Sequence, residues 1–449
     1  MADDQRTDGQ RTDGQRTTGP ADPRRRVPRT DALLDDPALA PAKATLGRQL
    51  VKQTVNQVQD RIRNGDVNPD DAIDATLAAL PASAMSMRRV VNATGAVLHT
   101  NLGRAQLSDA AVEALAMAAG ATDVEFDLQT NTRGRRGRGA LDALAAAVPA
   151  AEDVHVVNNG AAALFLAAAA LANGRDIIVS RGELVEIGDG FRIPELLESS
   201  GARLREVGTT NRTSIRDYAD AIGPDTAFIL KVHPSNFTVE GFTSSVSIAD
   251  LKTLGPPVVA DIGSGLLAPE PLLPDEPDAA TALDDGANLV TASGDKLLGG
   301  PQCGLLLGDR EIVQRLKRFP IARALRVDKL TLAALEATLR GPRTPTWQAL
   351  HADPATLKAR AQDLCARLKE SGVPADVVES AGVVGGGGAP GVTLAGWAVA
   401  LPEALAGPLR NSTPPVVGRV EKGRLLLDLR CVNSDDDARV FHAVLRATG

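Results

Sequence analysis

The feature that most constrains the fold is an alternation, from Arg88 to about Leu325, of short Val- and Ile-rich runs with Ala- and Leu-rich segments. The run DVHVVNN is followed by AAALFLAAAALA, and DIIVS is followed by ELLESSG and then by RLREV. Strands that alternate with helices at this spacing are typical of an α/β fold with a mostly parallel sheet. We therefore predict a large α/β domain over residues 87–328.

Two further domains and a tail are predicted around this unit. Residues 5–19 read QRTDG, QRTDG, QRTTG, a polar repeat that has nothing to bury, so residues 1–26 are predicted to be a disordered tail. Apolar residues at three- and four-residue steps, among them Leu46, Leu50 and Val58, predict a small helical domain over residues 27–86. Helical segments and the strand-like runs WAVAL and RLLLDLRCV predict a small α+β domain over residues 329–449.

Composition excludes some classes of protein. With 449 residues and 43% hydrophobic residues, the chain is long enough and apolar enough to bury cores. Aromatic residues are only 2%, which argues against an RNA-binding surface built on base stacking, and the net charge of −7 gives no global attraction to nucleic acid. Three widely spaced cysteines, no apolar leader and no long uncharged apolar run predict a reduced, cytoplasmic protein.

A lone lysine, Lys296, lies in the segment TASGDKLLGGPQCG, directly after the apolar run ANLVTAS. A lysine at a strand end, flanked by Ser293 and Gly294 and followed by two glycines, offers a positioned amine and open space for a flat ring, and Ser293 is a candidate cofactor-binding residue. This pattern favours a covalently bound pyridoxal phosphate. A solvated lysine in a surface turn explains the segment alone equally well.

Two upstream elements strengthen the pyridoxal phosphate hypothesis. Asp261 ends the β-run VVADIG, from which it could keep the pyridine nitrogen of the cofactor protonated, although a helix N-cap is the alternative. Asn159 and Gly160 follow the strand VHVV at the start of a helix, where backbone N–H groups bind phosphate, although ordinary strand-to-helix turns also look like this. A phosphate turn, an aspartate and a lysine in this order predict a pyridoxal-phosphate enzyme with Lys296 and Asp261 as its catalytic residues.

Several longer segments resemble bacterial selenocysteine synthases, the L-seryl-tRNA(Sec) selenium transferases. These are VVNATGAVLHTNLGRA, VSRGELVEIGDGFRIPELLESSGARLREVGTTNRT, LKVHPSNFTVEGFT, ASGDKLLGGPQCG and PPVVGRVEKGRLLLDLR, and the likeness runs from about Val27 to the C-terminus. The resemblance implies a fold-type-I pyridoxal-phosphate enzyme that forms a ring-shaped homodecamer. It also implies conversion of seryl-tRNA(Sec) to selenocysteinyl-tRNA(Sec) with selenophosphate, with Lys296 carrying the cofactor.

The same resemblance assigns selenophosphate binding to Arg104, in the TNLGRA motif, and to Arg323 and Arg326, which follow the lysine. A planar guanidinium suits a tetrahedral oxyanion because it donates two hydrogen bonds at once. Arg323 and Arg326 would share one face if their segment is helical. Solvated or ion-paired surface arginines are the alternative.

Weaker candidates are also present. His233 and Asn236 follow the run AFILKV, and they either contact the cofactor's phenolic oxygen or only order a loop. Arg181 and Glu183 follow another strand, and Arg419 lies in the C-terminal domain, where related folds bind a substrate carboxylate. Cys303 is more readily explained as a structural residue. The run QTNTRGRRGRGA departs from the family pattern and carries Arg133, Arg135, Arg136 and Arg138, which predict a phosphate-binding, tRNA-binding or mobile loop.

The hypothesis for the reaction is elimination of water from the seryl group to give aminoacrylyl-tRNA, followed by addition of selenium, with Lys296 as the base. The predicted reader of tRNA is the N-terminal helical domain, with basic residues Arg24 to Arg26, Arg48, Lys52, Arg61 and Arg63; a solvated helix face is the alternative. Two other functions remain open at this point. One is a pyridoxal-phosphate lyase for a free small amino acid or amino sugar, and the other is a non-catalytic tRNA-binding protein.

Overall fold

A computed structural model describes residues 27–188 and 190–448 of the chain. The predicted tail of residues 1–26 lies outside the described residues. The chain divides into two compact units, the first ending at Arg88 and the second beginning at Arg89.

The N-terminal unit is helical. Its helices are α1 (Thr30–Leu34), α2 (Ala40–Leu46), α3 (Arg48–Asn64) and α4 (Ala72–Ala79). Along α3, Val51, Val55, Val58 and Ile62 recur at steps of three and four residues, so they lie on one face and are fully buried. The helix ends at Gly65, whose φ of 84° is the left-handed conformation that closes many helices.

The described residues of the second unit form thirteen β-strands before its C-terminal third and four within it. They are β1 (Val91–Ala93), β2 (Ala96–Leu98), β3 (Phe126–Asp127), β4 (Thr132–Arg133), β5 (Asp153–Val157), β6 (Asp176–Ser180), β7 (Glu186–Gly188), β8 (Phe191–Arg192), β9 (Arg203–Val207), β10 (Thr226–Val232), β11 (Val258–Gly263), β12 (Leu289–Ser293), β13 (Gly304–Gly308), β14 (Asp376–Gly385), β15 (Thr393–Pro402), β16 (Val416–Glu421) and β17 (Arg424–Asp428).

The helices of this unit connect and cover the strands. They are α5 (Asp109–Ala118), α6 (Arg138–Ala147), α7 (Gly160–Ala172), α8 (Ile193–Ser199), α9 (Ile215–Ala221), α10 (Ile248–Lys252), α11 (Ala279–Asp284), α12 (Arg310–Arg318), α13 (Ile321–Ala324), α14 (Lys329–Arg340), α15 (Pro345–Leu350), α16 (Pro354–Glu370), α17 (Ala406–Arg410) and α18 (Asp437–Thr448).

A seven-stranded sheet in the order β5-β13-β12-β11-β10-β6-β9 forms the centre of the second unit. Only β13 runs antiparallel to its neighbours, which confirms the predicted mostly parallel α/β fold. Alternate residues of one strand enter opposite cores: Leu306 packs with α7 and α12, whereas Leu305 and Leu307 pack with α6 and α14. Burial on both faces explains why these strands read as continuous apolar runs.

Helix α7 is almost wholly enclosed. Alanine and leucine account for nearly all of its residues, and both favour helix, while the small alanine side chains allow close packing on the sheet. Ten of its thirteen residues are buried. Within residues 27–188 and 190–448, we find no helix that is both long and apolar enough to cross a membrane.

The second unit also contains a six-stranded sheet with the strand order β1-β16-β17-β15-β14-β2. Helices α16 and α18 cover one of its faces through residues such as Leu364, Leu368 and Val440. Strands β1 and β2 come from the start of the predicted large domain, yet they pair with β16 and β14 of the C-terminal segment. Likewise α14, at the predicted start of the small domain, packs on α5 and α6.

Replacing the fully buried Leu166 of α7 by alanine should lower the free energy of unfolding by about 2–5 kcal/mol, because the cavity left in a close-packed core adds to the lost apolar burial. The matched control is Leu128→Ala, at a leucine that is 73% exposed, which should change the free energy of unfolding by less than about 0.5 kcal/mol. The measurement is the urea midpoint of both full-length variants. Equal midpoints would contradict the assigned burial of α7.

Candidate active site

The candidate site lies at the carboxyl edge of the seven-stranded sheet. The strands β10, β11 and β12 end there at Val232, Gly263 and Ser293, and α7 begins beside them after β5. Ligands of open α/β sheets bind at this edge, because loops and helix N-termini converge there. The structure thus brings together the three elements that the sequence places far apart.

Lys296 lies in the turn that follows β12 and is 8% exposed. Two hydrogen bonds hold this turn: Leu297 N–H donates to Ser264 O at 2.7 Å, and Gly299 N–H donates to Lys296 O at 2.9 Å. Burial lowers the pKa of the Lys296 amine, the nearby Asp261 carboxylate opposes this effect, and the Arg104 guanidinium adds to it. A lowered pKa leaves more of the amine in its neutral form, which is the form that can act as a nucleophile or accept a proton.

Asp261 lies on β11, in register with Val232 of β10 and Thr291 of β12. Thr291 Oγ1 donates a hydrogen bond of 2.8 Å to Asp261 Oδ1. Burial raises the pKa of the Asp261 carboxyl, while the Thr291 hydrogen bond and the charge of Lys296 lower it. The carboxylate therefore lies close enough to Lys296 to interact with it electrostatically, and it lacks a bidentate partner of its own among the described residues.

The turn before α7 leaves backbone N–H groups free for an anion, as predicted, but the side chain of Asn159 is engaged in capping the helix. The Asn159 side chain caps the helix, since its Oδ1 accepts the N–H of Ala162 at 2.8 Å. The N–H groups of Gly160 and Ala161, as the first two of the helix, have no partner within it. A β-carbon at Gly160 would lie 2.5 Å from Ser293 Oγ, so only glycine allows β12 and α7 to approach this closely.

His233 follows β10, and its backbone N–H donates to Asp261 O at 3.0 Å. Its Nε2 lies 3.2 Å from Oε2 of the buried Glu276, so Nδ1 is the ring nitrogen left for other contacts. Asn236 points elsewhere, because its Nδ2 donates to Glu186 O at 3.0 Å. Of this pair, the structure places only His233 beside Asp261.

The three predicted anion-binding arginines differ in their surroundings. Arg104 lies near Lys296 and pairs with Asp295 at 2.9 Å between Nη1 and Oδ2, in a backbone conformation with φ of 61°. Arg326 pairs with Glu125 at 3.4 Å, and its backbone bridges to Val157, next to the phosphate turn. Arg323 is exposed on α13.

Arg323 and Arg326 are expected to share one face only if their segment is helical, and this condition is not met. Helix α13 ends at Ala324, and Arg326 forms an isolated β-bridge with Val157 instead. The backbone leaves the helix because Asn158 N–H donates to Leu325 O at 3.0 Å, which draws this segment onto the end of β5.

The weaker candidates have structural partners. Glu183 is buried, pairs with Lys231 at 2.5 Å and accepts the N–H of Val232, while Arg181 pairs with Glu206 at 3.2 Å. Arg419 donates to Thr94 O and to Ser380 Oγ in the second sheet. Burial raises the pKa of the Cys303 thiol to about 12, which keeps it un-ionised and fits a structural residue.

The arginine-rich segment after β3 forms ion pairs within the chain. Arg133 and Arg136 pair with Glu125, Arg135 pairs with Asp142, and Arg138 pairs with Asp123. The Arg136 guanidinium and then that of Arg133 hold the pKa of Glu125 below its usual range. The charges of this segment are thus largely compensated locally.

Four residues of the site were not identified from the sequence. Asp295 carried a signal, since it is a carboxylate next to the key lysine. The sequence gives no signal for Thr291, Ser235 and Glu276. Only strand register and loop packing bring these residues close to Asp261, Lys296 and His233. A β-carbon at Gly263 would lie 3.5 Å from Ser235 Oγ and 3.7 Å from Lys296 Nζ, which places both groups along the same space.

These residues fit pyridoxal phosphate. Lys296 supplies an amine of lowered pKa, Asp261 a carboxylate for the pyridine nitrogen, and the start of α7 two N–H groups for the phosphate. Glycines at positions 263 and 387 leave room beside the amine that a β-carbon would fill. With this donor set at the edge of its sheet, the fold is that of the fold-type-I pyridoxal-phosphate enzymes.

Comparison with known proteins narrows this class. The family model for L-seryl-tRNA selenium transferase matches residues 90–433, and that for the selenocysteine synthase N terminal matches residues 24–63. The chain belongs to the L-seryl-tRNA selenium transferase family, which confirms the resemblance seen in the sequence. Membership in this family supports pyridoxal phosphate as the cofactor.

Individual relatives agree over nearly their whole length. The L-seryl-tRNA(Sec) selenium transferase of Edwardsiella ictaluri is 44% identical over 445 residues, covering 91% of this chain and 96% of the relative. That of Moorella thermoacetica is 42% identical, covering 94% and 96%. Among solved structures, D-glucosaminate-6-phosphate ammonia-lyase shares the fold with a TM-score of 0.56 at 19% identity, over 80% of this chain and 96% of that chain.

The close contact between Gly160 and Ser293 yields a double-mutant prediction. Gly160→Ala should weaken pyridoxal phosphate binding about tenfold or more, because the new methyl group pushes α7 away from β12. Adding Ser293→Ala should restore most of the affinity, since the next atom, Ser293 Cβ, lies 3.8 Å away. Cofactor titration followed by visible absorbance measures both. A double variant that binds as weakly as Gly160→Ala would show that the contact is not responsible.

Proposed function

We propose that this chain transfers selenium to the seryl group of L-seryl-tRNA(Sec), with pyridoxal phosphate bound covalently to Lys296 and selenophosphate as the selenium donor. The observation that carries the proposal is the buried Lys296–Asp261 pair at the sheet edge, inside the 90–433 match to the selenium transferase family. The lyase alternative is not favoured, because relatives that are 41–44% identical to this chain are named as selenium transferases.

When bound, pyridoxal phosphate withdraws electrons from the α-carbon of the amino acid, so that the α-proton and the β-hydroxyl group can leave. The protein controls where protons move. Lys296 Nζ accepts the α-proton, for which burial has lowered its pKa. Asp261 keeps a proton on the pyridine nitrogen, and His233 lies beside it, since its backbone N–H donates to Asp261 O.

The arginines bind the selenium donor. Arg104 is oriented by Asp295, the residue next to Lys296, so its guanidinium is fixed near the reacting carbon. Arg323 and Arg326 border the phosphate turn through the backbone contacts of Leu325 and Arg326 with the end of β5. Together they supply planar donors for a tetrahedral oxyanion.

The N-terminal unit is proposed to bind the tRNA. Arg48, Lys52, Arg61 and Arg63 are exposed on α3, whose buried residues form the core of this unit. The match of residues 24–63 to the N-terminal selenocysteine synthase model supports this assignment. Residues Arg24 to Arg26 lie outside the described residues.

A homodecamer in the cytoplasm completes the proposal. Large apolar side chains are exposed on the second unit, including Val112, Met117 and Phe242, and such groups are commonly buried by assembly. Cys303, Cys365 and Cys431 are free thiols, which suits a reducing compartment.

Incubation with seryl-tRNA(Sec) and selenophosphate should yield selenocysteinyl-tRNA(Sec), identified by mass, and Lys296→Ala should yield none. Arg323→Ala should raise the KM for selenophosphate roughly 10- to 100-fold, because a charged hydrogen bond to the anion is lost. The control is Arg216→Ala, at an arginine whose side chain is 86% exposed on α9. Turnover of free serine in preference to seryl-tRNA(Sec) would contradict the proposed substrate.

The lowered pKa of Lys296 predicts how cofactor attachment depends on pH. Attachment requires the neutral amine, so its rate should fall only as the pH drops through the lowered pKa, and the midpoint should lie below the ordinary lysine value of about 10.4. The measurement is the growth of visible absorbance after pyridoxal phosphate is added to cofactor-free protein. A lysine-containing peptide is the reference, and an equal midpoint for peptide and protein would refute the effect of burial.

A further inference from the structure

The glycine-rich connection between β14 and β15 lies directly on Lys296. We call residues 385–391, with the sequence GGGGAPG, the glycine loop. A β-carbon at Gly387 would lie 2.6 Å from Lys296 Cε and 3.0 Å from Nζ, and one at Gly388 would lie 2.9 Å from Leu297 Cδ1. The glycine loop therefore lies against the Lys296 side chain and covers the lysine in this structure.

The backbone conformation of the glycine loop is costly to hold. Gly385, Gly387 and Gly391 have φ values of 104°, 97° and 81°, and glycines have many other conformations available. Ala389 has φ of 45°, a left-handed conformation that is unfavourable for a residue with a β-carbon. A contact from outside the loop must offset these costs.

Glu276 provides that contact. Its side chain is 1% exposed, in the connection between β11 and α11, and its Oε2 accepts the N–H of Ala389 at 2.5 Å. The same Oε2 lies 3.2 Å from Nε2 of His233, which follows β10. Glu276 Oε1 is buried without a hydrogen-bond partner among the described residues, so the loop and His233 are the contacts that retain this carboxylate.

We propose that Glu276 is a positioning residue that fastens the glycine loop over Lys296 and keeps it closed in the resting enzyme. A hydrogen bond to a buried carboxylate is among the stronger ones, yet a single such bond can be broken when substrate binds. The closed loop shields the lysine amine from water, and its glycines allow it to swing aside for an aminoacyl group. The need for that opening rests on the proposed function, whereas the fastening rests on the contacts alone.

Hydrogen exchange of the full-length protein, followed by mass spectrometry, tests the fastening. Glu276→Ala should accelerate exchange in residues 386–391 roughly 10-fold or more, because the Ala389 N–H loses its charged acceptor. Glu276→Gln should exchange at close to the wild-type rate, since its amide oxygen can still accept that N–H. The matched control is Glu270→Ala, which removes a carboxylate of the same connection that pairs with His351 at 3.2 Å and not with the glycine loop.

A second measurement reports on Lys296 itself. In the holoenzyme, hydroxylamine should remove the bound cofactor about tenfold faster from Glu276→Ala than from wild type or Glu270→Ala, because the open loop admits the small nucleophile. If Glu276→Ala does not fold, Glu276→Asp takes its place, as its shorter side chain cannot reach both partners. Unchanged loop exchange in the Ala and Asp variants, or equal acceleration by Glu270→Ala, would overturn the proposal. Failure of the proposed function would leave the exchange result intact.

Discussion

An amine enclosed by protein loses its hydration, so its neutral form gains relative to its charged form, and the site depends on this effect at Lys296. The Asp261 carboxylate would by itself favour the charged amine, and the Arg104 guanidinium works against it. The net result is a lysine of lowered pKa beside a carboxylate of raised pKa. A cationic pyridine ring placed between them would relieve the cost that burial imposes on Asp261.

Enclosing the amine while leaving space for a flat ring requires small residues from distant parts of the chain. Gly263 ends β11, Gly387 lies in the connection between β14 and β15, and Gly160 begins α7 against Ser293. The first sheet contributes the lysine and the aspartate, and the second sheet contributes the loop that covers them. The pairing of β2 with β14 supports this arrangement, because it aligns residues 96–98 with residues 383–385 at the start of the glycine loop.

Features that depend on residues close together in the sequence could be predicted, whereas features that depend on long-range contacts could not. Lys296, Asp261 and the Asn159–Gly160 turn each end an apolar strand, and strands that alternate with helices place such ends at one edge, so these residues could be found without coordinates. The membership of β1 and β2 in the second sheet could not, since it depends on pairing with strands more than 280 residues away. That Arg323 and Arg326 do not share one helix could not be foreseen, because Asn158 N–H donates a long-range hydrogen bond to Leu325 O just beyond the end of α13. Glu276 was missed for the same reason, as its partners are set by tertiary packing alone.

The predicted anion-binding arginines show how the site could take up a highly charged donor. Arg104 is paired with Asp295, and Arg326 shares Glu125 with Arg133 and Arg136. Because those guanidiniums lower the pKa of Glu125, it remains an anion, and a ligand must compete with it for Arg326. Arg323 has no carboxylate partner within residues 27–188 and 190–448, so it can meet the anion first. An anion with several charges and three acceptor oxygens can then exchange with the carboxylates, whereas a singly charged one gains too little to displace them.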